Sequence, residues 1–198
     1  MKTTGAWEYI AVISGIASVW FSRKGNVLVY PVGLIGTIIY VYLSLKLDLA
    51  GEATVNLYYT IMSIIGWYMW LKKDNRNNEV LHISFSTKKE LRMQLLFFLF
   101  FYGVIFGALS YYKRSFFPGS IPWADALASS TAFTGMWLMT KKKVESWYWW
   151  LATNITSVPL YFVKGMVFTS VYYLILFVMA IFGLTAWIHA AKMQKQVS

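Results

Sequence analysis

The 198-residue chain contains no cysteine, only two histidines and four prolines, and just 13% of its residues are charged. Without cysteine there is no disulfide, no thiolate nucleophile and no thiolate-bound metal. His82 and His189 are far apart in sequence, so no metal site is read here, and no other cofactor motif is present. Acidic residues are few, 8 against 18 basic ones, for a net charge of +10. That excess would suit a polyanion, but the Lys and Arg sit in loops between apolar stretches. A membrane topology signal explains them there without a nucleic-acid partner. Long polar stretches are missing too, which leaves no room for a large soluble domain or an adaptor surface. What remains is apolar: 58% of residues are hydrophobic, against roughly 45–50% in soluble domains. The chain reads as an all-α integral membrane protein surrounded by lipid.

Seven transmembrane spans are expected, at about Trp7 to Phe21, Val27 to Leu45, Thr54 to Leu71, Leu91 to Tyr112, Ile121 to Met139, Trp147 to Val163 and Thr169 to Ile188. The first carries Glu8 and lacks a basic n-region with a small-residue cleavage site, so it reads as a retained helix. The connector from Lys72 to Lys89 alternates Leu81, Ile83 and Phe85, as a short strand or an interface-lying turn would. Thr87 and Glu90 then form a capping box for the fourth helix. In that helix Gly103 and Gly107 make a GxxxG pair able to seat a neighbour. Loops after spans one, three and five plus the C-terminus hold thirteen basic residues, and the other side holds five. The N-terminus is therefore expected outside and the C-terminus in the cytoplasm.

The stretch Lys141 to Gly165 puts polar groups inside a span. The eighteen residues between Glu145 and Lys164 are uncharged, and at about 1.5 Å each they nearly cross a core of roughly 30 Å. Pro159 is expected to kink the outer part of this helix. At helical spacing Trp147, Trp150, Asn154, Ser157 and Tyr161 share one face, which is unsuited to lipid. The third span repeats the pattern with Asn56, Tyr59, Ser63, Trp67 and Trp70. Two facing stripes make a binding cavity, although Trp70, Trp137, Trp147 and Trp187 at span ends also fit an interfacial belt, and for those ends the belt is favoured. Asp125, in the first turn after Pro122, suits a cap at the helix N-terminus better than a proton relay. Lys46 and Lys164 are expected to snorkel to the outer interface. The spans offer no His, Cys or carboxylate pair, so no catalytic residue is assigned and an intramembrane enzyme is disfavoured.

Sliding the chain by 117 or 118 residues places Glu8 on Asp125, Trp20 on Trp137, Lys46 on Lys164, Gly66 on Gly183 and Trp70 on Trp187. Spans one to three thus resemble spans five to seven, as parallel repeats about a midplane site with the fourth helix as crossover. On the longer shift Asn154 falls on Gly36, so the site is expected to be asymmetric. The division is 1–73, first three-helix bundle; 74–90, connector; 91–116, linker helix; 117–198, second bundle.

The segments SIIGWYMWLKK, WADALASSTAFTGMWLMTKKKVESWYWW and NITSVPLYFVKGMVFTSVYYLILFVMAIFG resemble the PnuC vitamin transporters, and the likeness covers nearly the whole chain. The resemblance implies a SWEET-like 3+1+3 fold, often a homotrimer, in a bacterial inner membrane. It implies import of nicotinamide riboside by facilitated diffusion, with phosphorylation by a cytosolic kinase trapping the cargo; thiamine or riboflavin are the alternatives. Family contacts map onto Trp67, Trp70, Trp147, Trp150 and Asn154. The chemistry agrees: rings attract a pyridinium or thiazolium cation by roughly 0.5–2 kcal/mol each, and an amide binds ribose hydroxyls or a carboxamide.

Overall fold

In hydrocarbon every backbone N–H and C=O must be satisfied within the segment, so each uncharged run of this chain becomes one helix. The structure, a computed structural model, describes residues 5–46, 50–74, 77–112 and 119–197. Its helices are α1 (Gly5–Arg23), α2 (Val29–Lys46), α3 (Ala50–Leu71), α4 (Lys88–Tyr112), α5 (Pro122–Thr140), α6 (Ser146–Val163) and α7 (Val167–Val197). Segments in α2, α4 and α7 are long and apolar enough to cross a membrane by length and composition alone. α6 continues through Pro159. α7 runs beyond the expected Ile188, because Ala, Lys, Met and Gln are good helix formers and basic side chains suit a helix C-terminus. Lys2, Arg76, Lys113 and Arg114, counted above for orientation, lie outside the described residues, as do the side chains of Glu8 and Lys195.

Six helices close a ring. α1 packs on α2, α2 on α3, α3 on α5, α5 on α6, α6 on α7 and α7 back on α1, while α4 packs outside the ring on α5 and reaches Trp149 of α6 through Gln94 and Phe98. An approximate two-fold relation exchanges α1 with α5, α2 with α6 and α3 with α7. α5 is buried along most of its length by Ala, Ser and Thr, small residues that let its neighbours approach closely.

The 117-residue shift holds atom by atom in the loops at the end of the ring that carries Lys141 to Lys143, here the basic end. Gly25 N–H donates to Ser22 O at 2.9 Å, and Lys142 N–H to Met139 O at 3.1 Å. Asn26 N–H reaches Phe21 O at 3.0 Å, and Lys143 N–H reaches Leu138 O at 3.1 Å. Both turns pass through a left-handed residue: Gly25 at φ 64° and Lys142 at φ 51°. Glycine adopts that conformation freely, whereas a lysine there costs about 1 kcal/mol or more. Lys142 is held by its side chain, which is buried, 2.6 Å from Glu79 and 4.8 Å over the Trp70 ring.

The connector forms no regular strand among the described residues. Instead it lies along the α5–α6 turn through a bridge in which Ser84 N–H donates to Lys142 O and Val144 N–H to Ser84 O, each at 3.1 Å. Leu81 and Ile83 point into the core. Ser86 donates through its N–H and hydroxyl to the Glu145 carboxylate. The capping box forms, with Thr87 N–H to Glu90 at 2.7 Å and Glu90 N–H to the Thr87 hydroxyl at 3.3 Å.

Glycines divide by environment. A Cβ on Gly66 would collide with the Tyr30 ring and one on Gly183 with the Trp147 ring, whereas nothing described lies within 4 Å of Gly103 or Gly107. The GxxxG pair therefore seats no neighbour within the described chain, because α4 packs on α5 through another face. Gly66→Ala and Gly183→Ala should each destabilise the detergent-solubilised protein by about 1–3 kcal/mol through overpacking. Gly103→Ala should instead raise the melting temperature slightly, since Ala gains about 1 kcal/mol of helix propensity over Gly.

Candidate functional site

Along the ring axis the side chains fall into three levels. At the basic end Trp70, Trp147, Trp187, Tyr30 and Met139 form a sealed layer, each under a tenth exposed. Trp70 Nε1 donates to the carbonyls of Met139 and Thr140 at 3.3 and 3.2 Å, and Trp187 Nε1 donates to Ser22 O at 2.9 Å. The third helix of each bundle thus caps the last turn of the first helix of the other. Tyr30 meets Trp70 edge to face at 5.0 Å and Trp147 meets Trp187 likewise at 5.7 Å, while Trp70 and Trp187 approach to 6.2 Å across the two-fold. This corrects the belt reading of Trp70, Trp147 and Trp187: their rings lie inside the ring of helices. Trp147 Nε1 is buried without a hydrogen-bond partner among the described residues.

The middle level brings Tyr59 and Trp150 together at 6.2 Å. Tyr59 also meets Phe133 edge-on at 6.3 Å, and Tyr58 stacks on Phe133 at 4.1 Å with its hydroxyl donating to Phe133 O at 3.0 Å. Trp150 lies against Gly135, where a side chain would crowd its ring. One turn further along α6, Asn154 is buried, 3% exposed. Neighbouring Thr153 is satisfied by the Thr131 hydroxyl at 3.0 Å and by Trp149 O. Ser63 is buried on α3.

At the far end Ser157 is buried and hydrogen-bonded with Tyr173, whose ring stacks on Tyr161 at 5.2 Å and 7°. Asp125 accepts from Ile121 N–H at 2.6 Å, which is the expected cap, and its other oxygen takes Lys164 Nζ at 2.6 Å. Lys164 is therefore tied to α5, with its side chain 20% exposed, and does not simply snorkel. Burial beside a carboxylate makes that pairing more favourable than extension to the interface.

Of the nine residues assigned from sequence, Tyr59 and Trp150 meet, Asn154 and Ser157 are buried further along α6, and Trp70 and Trp147 are buried at the basic end. Asn56 donates its amide to Glu52 O at 2.9 Å, the i−4 carbonyl of its own helix. Trp67 is 37% exposed and has no ring contact among the described residues, so it stands apart from the others. Sequence reasoning missed Tyr58, Phe133 and Tyr173. They occupy apolar stretches where a ring among other rings gives no periodic signal.

A family profile described as nicotinamide mononucleotide transporter matches residues 5–189. The nicotinamide riboside transporter PnuC of Escherichia coli K12 is 22% identical over 205 residues, covering 93% of this chain and 86% of the relative. The protein of the same name from Neisseria mucosa is 27% identical over 193 residues, covering 92% and 72%. A riboflavin/roseoflavin transporter, RibM of Streptomyces davaonensis, is 24% identical over 140 residues, covering 70% and 64%. A crystal structure of the vitamin B3 transporter PnuC superposes with a TM-score of 0.74 at 22% identity, covering 94% of this chain and 82% of that one. With the profile matching all seven helices and the solved fold agreeing over nearly the whole length, the chain belongs to the nicotinamide mononucleotide transporter family.

Proposed function

We propose that this protein is an inner-membrane carrier that imports nicotinamide riboside by facilitated diffusion. The observation that carries this reading is Asn154, 3% exposed inside a membrane-spanning helix and one helical turn from the Trp150 ring that faces Tyr59. A buried amide in a dry interior needs hydrogen-bonding partners. A pyridinium nucleoside supplies them: its cationic ring lies between Tyr59 and Trp150, and its carboxamide or ribose hydroxyls bond Asn154. The names of the E. coli and N. mucosa relatives support that cargo. Riboflavin is the second reading, favoured by the name of the S. davaonensis relative, and thiamine the third. Membership in a transporter family weighs against an intramembrane enzyme. The trimer and the trapping kinase are carried over from the resemblance, and α4 offers the face for the former.

Binding is the first test. Trp150→Ala and Asn154→Ala should each weaken nicotinamide riboside binding by about 1–3 kcal/mol, roughly 5- to 150-fold in Kd. Trp137→Ala, whose ring stacks on Phe97 of α4 at 4.7 Å, should change it little. Unchanged calorimetric affinity in both site variants returns those residues to packing.

Transport mode is the second. Among the described groups near the axis, Asp125 is the carboxylate best placed for a relay, and it is engaged by Lys164 and Ile121 N–H. Proteoliposomes should therefore equilibrate the substrate and show counterflow without a proton gradient. Uphill accumulation in kinase-free vesicles that Asp125→Asn abolishes would refute uniport.

Orientation is the third. We place the basic end in the cytoplasm. Lys142 is too buried for labelling, so the exposed positions 73 and 119 serve. In intact cells Gly119→Cys should react with an impermeant thiol reagent and Lys73→Cys should not; the reverse pattern inverts the topology.

A further inference from the structure

We propose that Lys142 is a positioning residue of this carrier: through the Trp70 ring and Glu79 it holds the basic end of the helix ring shut, and the strength of that hold sets how readily the ring opens there. The inference holds whichever cargo the carrier takes.

The repeat supplies the comparison. At the shift of 117 Lys142 corresponds to Gly25, and the two turns make the same backbone hydrogen bonds through the same left-handed conformation, at φ 51° and 64°. The turn itself therefore needs no side chain. A lysine there is strained in its backbone, and its charge is withdrawn from water, the side chain being 5% exposed. Such a residue persists where its surroundings hold it. The contacts that hold this ammonium group cross the boundary between the bundles.

Trp70 belongs to α3, and its ring lies 4.8 Å from Lys142 Nζ. Glu79, 2.6 Å from the same nitrogen, is fixed to α3 as well. The chain after α3 folds back on itself: Val80 N–H donates to Lys72 O at 3.2 Å, Asp74 N–H donates to Asn78 O at 2.9 Å, and Glu79 bridges Lys73. Further along, the connector is fixed to the second bundle instead, with Ser84 bridged to the Lys142–Val144 turn and Ser86 bound to Glu145. Residues 81–83 thus join a part held by one bundle to a part held by the other. Neighbouring charges are engaged elsewhere: Lys143 with Glu90, Glu145 with Ser86, and Lys141 over the Trp137 ring at 4.1 Å. Lys72 and Lys73 are exposed at the end of α3. Among the described residues Glu79 is the carboxylate that pairs with Lys142.

The second bundle therefore grips Trp70 twice. The last carbonyls of α5 take its Nε1, and Lys142 covers its face. Parting the bundles at this end breaks both grips together with the Glu79 pair. In the other half Trp187 has the carbonyl bond to Ser22, and glycine stands where the lysine would be. A buried ion pair adds little net stability over apolar packing, but removing one partner strands the other. Glu79→Gln leaves a buried cation that is better solvated with the layer open, so the pair is suited to setting an opening equilibrium.

Because the chain has no cysteine, one introduced thiol reports that opening. Ser22 is 3% exposed and its hydroxyl meets Met139 Sδ at 3.1 Å across the bundle boundary, so Ser22→Cys reacts with N-ethylmaleimide when the basic end parts. Ser130→Cys, buried within α5 where the native hydroxyl bonds Ala126 O, reports loss of fold instead. Labelling rates of both reporters are measured in the purified protein alone and with Glu79→Gln, Lys142→Met or Lys142→Gly, each checked by melting temperature. Glu79→Gln should speed labelling of Ser22→Cys about 5- to 30-fold and that of Ser130→Cys by less than about two-fold. Lys142→Gly, which relieves the backbone, should also speed labelling of Ser22→Cys. Lys142→Met, which keeps the stem on the Trp70 face without the charge, should speed it less than Glu79→Gln does. Unchanged labelling of Ser22→Cys in Glu79→Gln and Lys142→Gly, or a parallel rise at Ser130→Cys, overturns the positioning role and makes Lys142 a residue that only stabilises the fold.

Discussion

The two indole caps at the basic end are what the rest of the architecture depends on. A helix leaves its last carbonyls without intrahelical donors, and in a dry interior each one left open costs on the order of 1–3 kcal/mol. Here Trp187 Nε1 reaches Ser22 O at the end of α1, and Trp70 Nε1 reaches Met139 O and Thr140 O at the end of α5. Each bond joins one bundle to the other, so closing the helix ends also closes the ring. Gly66 and Gly183 follow from this, because the rings of Tyr30 and Trp147 that brace the two indoles need the space a Cβ would fill. The left-handed turns at Gly25 and Lys142 follow as well, since they bring α2 and α6 back tightly enough to place those rings.

Opening such a layer means breaking hydrogen bonds on both sides of the two-fold, and the halves are not equally secured. On the α5 side the connector adds the Ser84 bridge, and Lys142 links Glu79 to the Trp70 face. On the α1 side the turn is glycine, with Ile83 packed against it. The halves therefore share one geometry but not one stiffness.

The seven helices and the repeat were legible in the sequence because both rest on period and length: uncharged runs long enough to span, and Gly66, Trp70, Gly183 and Trp187 recurring at 117. The thread of polar residues on α6 was legible for the same reason. What one sequence could not give was which neighbour a ring meets. Trp187 and Trp137 both look like belt residues, yet one is fully buried over Ser22 and the other stacks on Phe97 at the α4 surface. Lys142 reads as a surface charge beside two others, and only the turn it occupies buries it. Lys164 reads as a snorkelling end, and its tie to Asp125, thirty-nine positions away, is a tertiary fact.

The loop hydrogen bonds fix the shift at 117, and at that register the asymmetry of the candidate site acquires a packing cause. Trp150 corresponds to Gly33 and Asn154 to Thr37. In the first bundle Gly33 lies directly against Ser18, and Thr37 shares a hydrogen bond with Thr60 at 3.0 Å, so α2 is spent on holding its own neighbours. In the second bundle the glycine stands on α5, as Gly135, and a ring on α6, as Trp150. That arrangement keeps the two helices close while turning an indole toward Tyr59 of the other bundle. A strictly symmetric pair of bundles would present either two such faces or none. Pairing Ser18 with Gly33 in one bundle and Gly135 with Trp150 in the other leaves one buried amide, Asn154, beside one ring pair, Tyr59 and Trp150.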